Sequence, residues 1–249
     1  MGRCECLQDL YIAGKFKPKK IKCCPTAKQE SEFLKQRAQE RLKLENFFEE
    51  SSITIGFINI RSLKKHWLDF QTDQHFQKCD LIGLGETWLE PENQSPNLSG
   101  YETTSVNVRR GQGVTTFSKQ LNVVLKIGKD LYSIIALHSK EWIFVFMYVS
   151  QHAPQDEIVS VLSNLSHQRD ESILILGDMN WDYLTQLHQM KEFLISNGFS
   201  QRVQNATHEH GGLLDQAYVK IKNDKFTVET FQKAKYYSDH DALFIKIKE

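Results

Sequence analysis

From Ile53 onward the chain is a succession of short apolar runs, and several stop at a side chain able to hold a cation or move a proton. Runs of this length, bounded by Gly, Asn, Ser and Asp, read as strands. ITIGFIN closes on Asn59, and DLIGLGET reaches Glu86 as its apolar part ends. WIFVFMYVS carries Tyr148 near its end, and SILILGDMN ends on Asp178 with Asn180. LLDQAYVKI opens around Asp215, and Asp239 and His240 precede ALFIKIK. YETTSVNV, GVTTFSK, LNVVLKI, LYSIIAL and FTVETF complete the strand series.

Helices come at intervals, not after every strand. RSLKKHWLDFQTDQHFQKC reads as one helix or two, and YLTQLHQMKEFLISNG as a helix stopped by Gly198. PQDEIVSVLSNLSHQ places Ile158, Val161, Leu162 and Leu165 on one helical face. Strands outnumbering helices in this way predict two packed sheets flanked by helices, a layered α/β sandwich instead of a purely parallel doubly wound sheet.

The first 51 residues differ in texture, being rich in Lys and Glu. Thr26 three residues before Gln29 is a capping-box pattern, and a long polar helix is expected over Ala27–Glu49. No apolar run approaches the ~18 residues that cross a bilayer, and the N-terminus lacks the apolar stretch of a secretory signal. Five cysteines, four crowded near the start, fit a reducing compartment better than a disulfide framework. Cys-Glu-Cys and Cys-Cys lack the separations of a structural zinc knuckle. With 31 basic and 31 acidic residues, any nucleic-acid partner has to be held by a local patch.

Taken singly, each strand-end residue has an ordinary reading. Asp and Asn make turns, Glu86 could start a helix, and Tyr148 could be a core aromatic. Taken together, Asp, Glu, Asn, Tyr and His supply a hard-metal ligand set, a water activator and an oriented imidazole.

FINIRSL, GLGETWLEP, MYVSQHAP, GDMNWD, GGLLDQAYV and YYSDHDALF occur in the order found in the endonuclease/exonuclease/phosphatase superfamily. Residues 52–249 resemble most the apurinic-type endonucleases of LINE-type retrotransposons. The resemblance implies a four-layer αββα sandwich of two mainly antiparallel sheets, and a metal-dependent phosphodiesterase site at one end of them. It implies Mg²⁺, with Mn²⁺ as a substitute, on Glu86 with Asn59 alongside. Asp178 would activate the attacking water with Asn180, and Asp215 would fix the tautomer of His240. His240 would stabilise or protonate phosphoryl oxygens, Tyr148 would contact the phosphate, and Asp239 would support the metal or the histidine. The implied partner is DNA, with no membrane, no small organic cofactor and no particular oligomeric state, and the implied location is intracellular and nuclear.

Two positions depart from the repair branch of that superfamily. Arg61 stands where an acid is usual, and Gly85 where a glutamine precedes the metal-binding Glu. The retrotransposon branch accommodates both, so they turn the reading away from abasic-site repair and leave the metal shell open. For substrate contact the expectations are Arg61, with Lys64 and Lys65 nearby, Arg109 and Arg110 on a Gly-flanked turn, and Thr207 in NATHEH. The arginine turn could equally be a solvated hairpin, and Trp88 either a base-stacking surface or core.

Residues 1–51 resemble the end of the Pif-type helicases fused to such endonucleases in Helitron-like transposons, with Arg3 where the arginine-finger motif ends. A phosphate-binding GxxxxGK[ST] loop is absent, which excludes helicase activity. This resemblance implies a mobile-element origin, with 1–51 a helicase-end remnant and linker helix. The leading expectation is a DNA endonuclease. A phosphodiesterase for RNA or a small phosphodiester, or a decayed nucleic-acid binder, stands beside it.

Overall fold

The computed structural model describes residues 52–167, 170–185 and 188–249, with Lys43, Glu45, Phe47 and Phe48 of the preceding stretch. Chain contacts divide it into two units, Met1–Glu50 and Ser51–Glu249. In the first, Lys43, Glu45 and Phe47 are helical, and the rings of Phe47 and Phe48 meet edge-on at 5.4 Å. The rest of the expected 27–49 helix and the helicase-like segment lie outside the described residues.

The second unit is built on two six-stranded sheets. The strands are β1 (Ile53–Asn59), β2 (Leu81–Gly85), β3 (Glu102–Val106), β4 (Val114–Ser118), β5 (Asn122–Lys129), β6 (Tyr132–His138), β7 (Trp142–Val149), β8 (Ser172–Asp178), β9 (Ser200–Gln201), β10 (Asp215–Lys220), β11 (Thr227–Lys233) and β12 (Ala242–Lys248). One sheet runs β11-β12-β1-β2-β4-β3 and the other β5-β6-β7-β8-β10-β9. Each has one parallel pair, β1 with β2 and β7 with β8, and is otherwise antiparallel.

A parallel pair needs a crossover long enough to return to the same edge. Helices α1 (Leu63–Thr72) and α2 (Gln74–Gln77) make the first crossover, and α3 (Gln155–His167) the second. A fourth helix, α4 (Gln189–Ser196), precedes β9. It starts later than its sequence pattern suggested, because His188 caps it: a ring nitrogen accepts from the Lys191 amide at 3.1 Å. β9, only two residues long, carries too little periodicity to be read from sequence.

Strand β7 shows how one apolar run serves two layers. Trp142, Phe144, Phe146 and Tyr148 enter the core between the sheets, while Ile143, Val145, Met147 and Val149 face the helical layer holding Ile158, Leu162, Met190 and Leu194. This is the side-chain alternation of a strand buried on both faces. On the other sheet, α1 and α2 pack through Phe70, which stacks on Phe117 at 5.7 Å, and Phe76, which meets Phe244 at 5.1 Å. Helix, sheet, sheet and helix give the expected four layers.

At Gly83 the facing sheet leaves no room for a side chain. A Cβ there would lie 2.0 Å from Cδ1 of Phe146 in the facing sheet. Glycine is therefore required for space, and one methyl group would drive the layers apart. Gly83→Ala is expected to cost about 1–3 kcal/mol or more, read as a lowered midpoint in urea unfolding.

Candidate active site

The strand register brings the polar residues to one edge of the sandwich. In the β1–β2 pair Asn59 lies opposite Gly85, which directly precedes Glu86. In the other sheet Asp178 is flanked by Tyr148 on β7 and Asp215 on β10. Antiparallel β12 begins beside the end of β1, so Asp239 and His240 arrive at the same place. The Ser238 hydroxyl ties them down, donating to the Asn59 carbonyl at 2.7 Å and accepting from the His240 amide at 3.1 Å.

Two hydrogen bonds then span the seam between the sheets. Asn59 Nδ2 donates to Asp178 Oδ2 at 2.7 Å. His240 Nδ1 donates to Asp215 Oδ2 at 2.7 Å, which fixes the tautomer and leaves Nε2 facing Asn59 at 3.5 Å. Asn180 holds Asp178 from the other side, through its amide at 2.9 Å and its side-chain nitrogen at 3.3 Å. Asn59, Asp178 and Asp215 are wholly shielded from solvent.

Backbone strain concentrates here. Arg61, Ser62, Glu86, Trp88 and Asn180 all have positive φ, a conformation non-glycine residues adopt only when their surroundings enforce it. Amides beyond the strand ends do the enforcing: Ser62 N donates to Glu86 O and Leu63 N to Thr87 O, both at 2.9 Å.

The electrostatics follow from this crowding. Burial, then the charges of Asp215 and Glu86, raise the Asp178 carboxyl well above the usual carboxylate range, against the pull of His240. Burial opposes charge on His240, but the Asp215 carboxylate outweighs it and lifts the imidazole to about 9. Burial, Glu86 and Asp178 push the Tyr148 phenol up, so it stays protonated at neutral pH.

These side chains suit a hard cation. Glu86, Asp178, Asp215 and Asp239 face one another with Arg61 and His240 as the cationic partners, and the buried oxygens Asp215 Oδ1 and Asp239 Oδ1 lack a hydrogen-bond partner. Asp178, Asp215 and His240 present ligand atoms within 4.8 Å of one another, as do His208, Asp239 and His240. Glu86, half-buried at the opening, belongs to neither trio. Its carboxylate accepts from Trp88 Nε1 at 3.1 Å. Oxygen donors in this number are what Mg²⁺ or Mn²⁺ takes.

The expected substrate-contact residues divide. Arg109 and Arg110 are exposed on the 107–113 loop, and the Arg110 guanidinium lies 5.8 Å from the centre of the Trp88 ring. Lys64 and Lys65 are exposed on α1. Arg61 is already engaged, in an ion pair with Asp239. Thr207 is buried, and its hydroxyl accepts from the amides of Leu214 at 3.1 Å and Asp215 at 2.9 Å. Its side chain is thus engaged with the backbone that leads into Asp215.

His208 entered no sequence-based assignment, yet its ring stands edge-on to His240 at 4.7 Å and its Nε2 is 3.5 Å from Asp239 Oδ2. The signal was its place directly after Thr207. The Asp241 carboxylate accepts from Gln232 Nε2 at 2.8 Å, and its amide donates to Thr207 O at 2.7 Å.

No family model matches the chain, and no curated protein does either. Solved structures do match. The endonuclease domain of TRAS1, a telomere-specific non-LTR retrotransposon, aligns over 80% of this chain and 99% of its own, at 11% identity and a TM-score of 0.59. The 3′ phosphatase NExo from Neisseria, bound to product DNA hairpin, aligns over 79% and 100%, at 12% identity and a TM-score of 0.64. An endonuclease/exonuclease/phosphatase family protein from Leptotrichia buccalis aligns over 79% and 100%, at 13% identity and a TM-score of 0.58. The chain has the fold of the endonuclease/exonuclease/phosphatase family. Among the described residues, no helix of this family fold is long and apolar enough to cross a membrane.

The Ser238-Asp239-His240 turn is anchored from below by a second buried cluster. Lys235 Nζ bonds Asp73 Oδ2 at 2.5 Å and lies over the Phe76 and Phe244 rings, while Tyr237 donates to the same carboxylate at 3.1 Å. Asp73→Ala strands that ammonium and is expected to cost about 3–5 kcal/mol in denaturant unfolding. Replacing Asp73 and Lys235 together by apolar residues should recover much of that loss.

The pH dependence has a definite sign. The folded pKa of His240 lies above its ordinary 6.5, so its contribution to stability is complete below pH 6.5 and is lost as pH rises through about 9. Asp178, also raised, acts in the same direction. Thermal midpoints are expected to fall across this window, and His240→Gln should flatten the fall.

Proposed function

We propose that this protein is a Mg²⁺-dependent endonuclease that hydrolyses DNA phosphodiesters, leaving a 3′-hydroxyl and a 5′-phosphate. The observation that carries the reading is the pair of seam-spanning bonds, Asn59 to Asp178 and His240 to Asp215. They set a proton acceptor and a proton donor side by side at the mouth of the sheets. The fold's resemblance to the TRAS1 endonuclease domain and to a phosphatase bound to a DNA hairpin supports a nuclease or phosphodiesterase.

Glu86, with Asn59 Oδ1 and Asp239, would hold the cation, which when bound offsets the charge of the phosphodiester. The protein's own groups do the rest. Asp178, its carboxyl raised toward neutrality, accepts a proton from the attacking water. Asn59 and Asn180, both donating to its Oδ2, keep it aimed. His240 donates its Nε2 proton to phosphoryl oxygen or to the departing 3′ oxygen, and Asp215 stabilises the imidazolium until it does. The Tyr148 phenol, kept protonated, donates to a phosphate oxygen. One P–O bond forms to water as the bond to the 3′ oxygen breaks.

Arg109, Arg110, Lys64 and Lys65 supply local positive charge to a chain of zero net charge, and the complex should accordingly weaken with salt. In this reading the protein derives from a mobile element and works in the nucleus.

Supercoiled plasmid incubated with the protein tests this. Nicking is expected with Mg²⁺ or Mn²⁺ and not with EDTA, and His240→Ala and Asp178→Ala should each slow it by about 10²–10⁴-fold. Plasmid left intact by the wild type, or nicked equally by both variants, would overturn the assignment. Preferential cleavage of RNA or of a small phosphodiester would redirect it.

A further inference from the structure

Trp88 lies two residues beyond Glu86 on a strained turn, and its indole does more than fill space. Nε1–H donates to Glu86 Oε2 at 3.1 Å, occupying one carboxylate oxygen and fixing the direction of the other. Such a bond matters most where the carboxylate must be preorganised for a cation. The turn itself is held open against steric preference, with φ of 48° at Glu86 and 56° at Trp88.

Besides the Ser62 and Leu63 amides, the arginine loop braces that turn. Trp88 N donates to Gln112 O at 2.9 Å, and Thr87 N to Gly113 O at 3.4 Å. Gly113, at φ 101°, comes so near that a Cβ would sit 2.7 Å from the Thr87 hydroxyl oxygen. Above the same indole lies the Arg110 guanidinium, at cation–π distance. Arginine loop, tryptophan and Glu86 form one continuous bonded unit running from the exposed rim to the buried site.

We propose that Trp88 is a positioning residue that orients Glu86 for the divalent cation and joins it to the Arg110 loop, so that a nucleic-acid phosphate drawing on Arg110 also bears on the cation site. This rests on the function proposed above, and its test separates the two. In this role the indole N–H is the working atom and the ring face is the coupling surface. Trp88→Phe removes the first and keeps the second.

Metal-free protein titrated with MgCl₂ or MnCl₂ in a calorimeter, without DNA, reads the site independently of turnover. Trp88→Phe should weaken cation binding by about 10-fold or more, while its far-ultraviolet spectrum and thermal midpoint stay near wild type. In a Glu86→Gln background the same change should add little, because its route of action is gone. Arg110→Ala should leave cation affinity without DNA unchanged, and should reduce the tightening of cation binding that an uncleavable phosphorothioate duplex produces. Wild-type cation affinity in Trp88→Phe, or an equal loss in the Glu86→Gln background, overturns the proposal. A wild type that binds the cation yet nicks nothing defeats the endonuclease reading and leaves this one to be decided by the calorimeter.

Discussion

Phe146 of one sheet occupies the space that a side chain at position 83 of the other would take. That contact fixes how near the two sheets stand, and the candidate site depends on it. Asn59 and His240 belong to one sheet, Asp178 and Asp215 to the other, and both short hydrogen bonds of the site cross between them. Hydrogen bonds of 2.7 Å tolerate little displacement, so the seam core of Phe57, Phe144, Phe146 and Leu176 sets the chemistry's geometry without touching it.

The parallel pairs explain why charge gathers at one end. β1 with β2, and β7 with β8, send their carboxyl ends to the same edge, while antiparallel β10 and β12 start there. Four carboxylates gather, three of them shielded or nearly so; burial first, then the charges of Asp215 and Glu86, raise Asp178, while the negative charge of Asp215 holds His240 protonated. A cation placed among them would offset that negative charge. Beneath the site, Asp73 and Lys235 form a buried pair of the opposite design, each charge answered. It anchors the Ser238-Asp239-His240 turn where the site itself is left electrostatically unbalanced.

Among the individual residues, sequence order was informative wherever a side chain sits at the end of a long apolar run. Asn59, Tyr148 and Asp178 belong to strands with eight-residue or near eight-residue cores, whose ends are easily found. Asp215, Asp239 and His240 were legible because they precede such strands. His208 was not, since it lies in a loop without periodicity and reaches His240 through a single isolated bridge. Thr207 was placed near the substrate by resemblance, but burial turns its hydroxyl toward two backbone amides. Arg61 looked like a free cation in the sequence, and only folding across 178 positions pairs it with Asp239.

The sequence by itself determined the layers, because the uninterrupted apolar runs of β7 and β8 and the spaced apolar face of α3 fit a strand buried on both sides and a helix packed on one. It also determined which residue types stand at strand ends. The tertiary structure alone decided which of them meet, because strand order and sheet offset are long-range properties that no local run encodes. It decided too that Trp88, readable as core or as stacking surface, bonds to Glu86: a turn of positive φ, whose amides donate to carbonyls of a loop more than twenty residues away, points the indole N–H at that carboxylate.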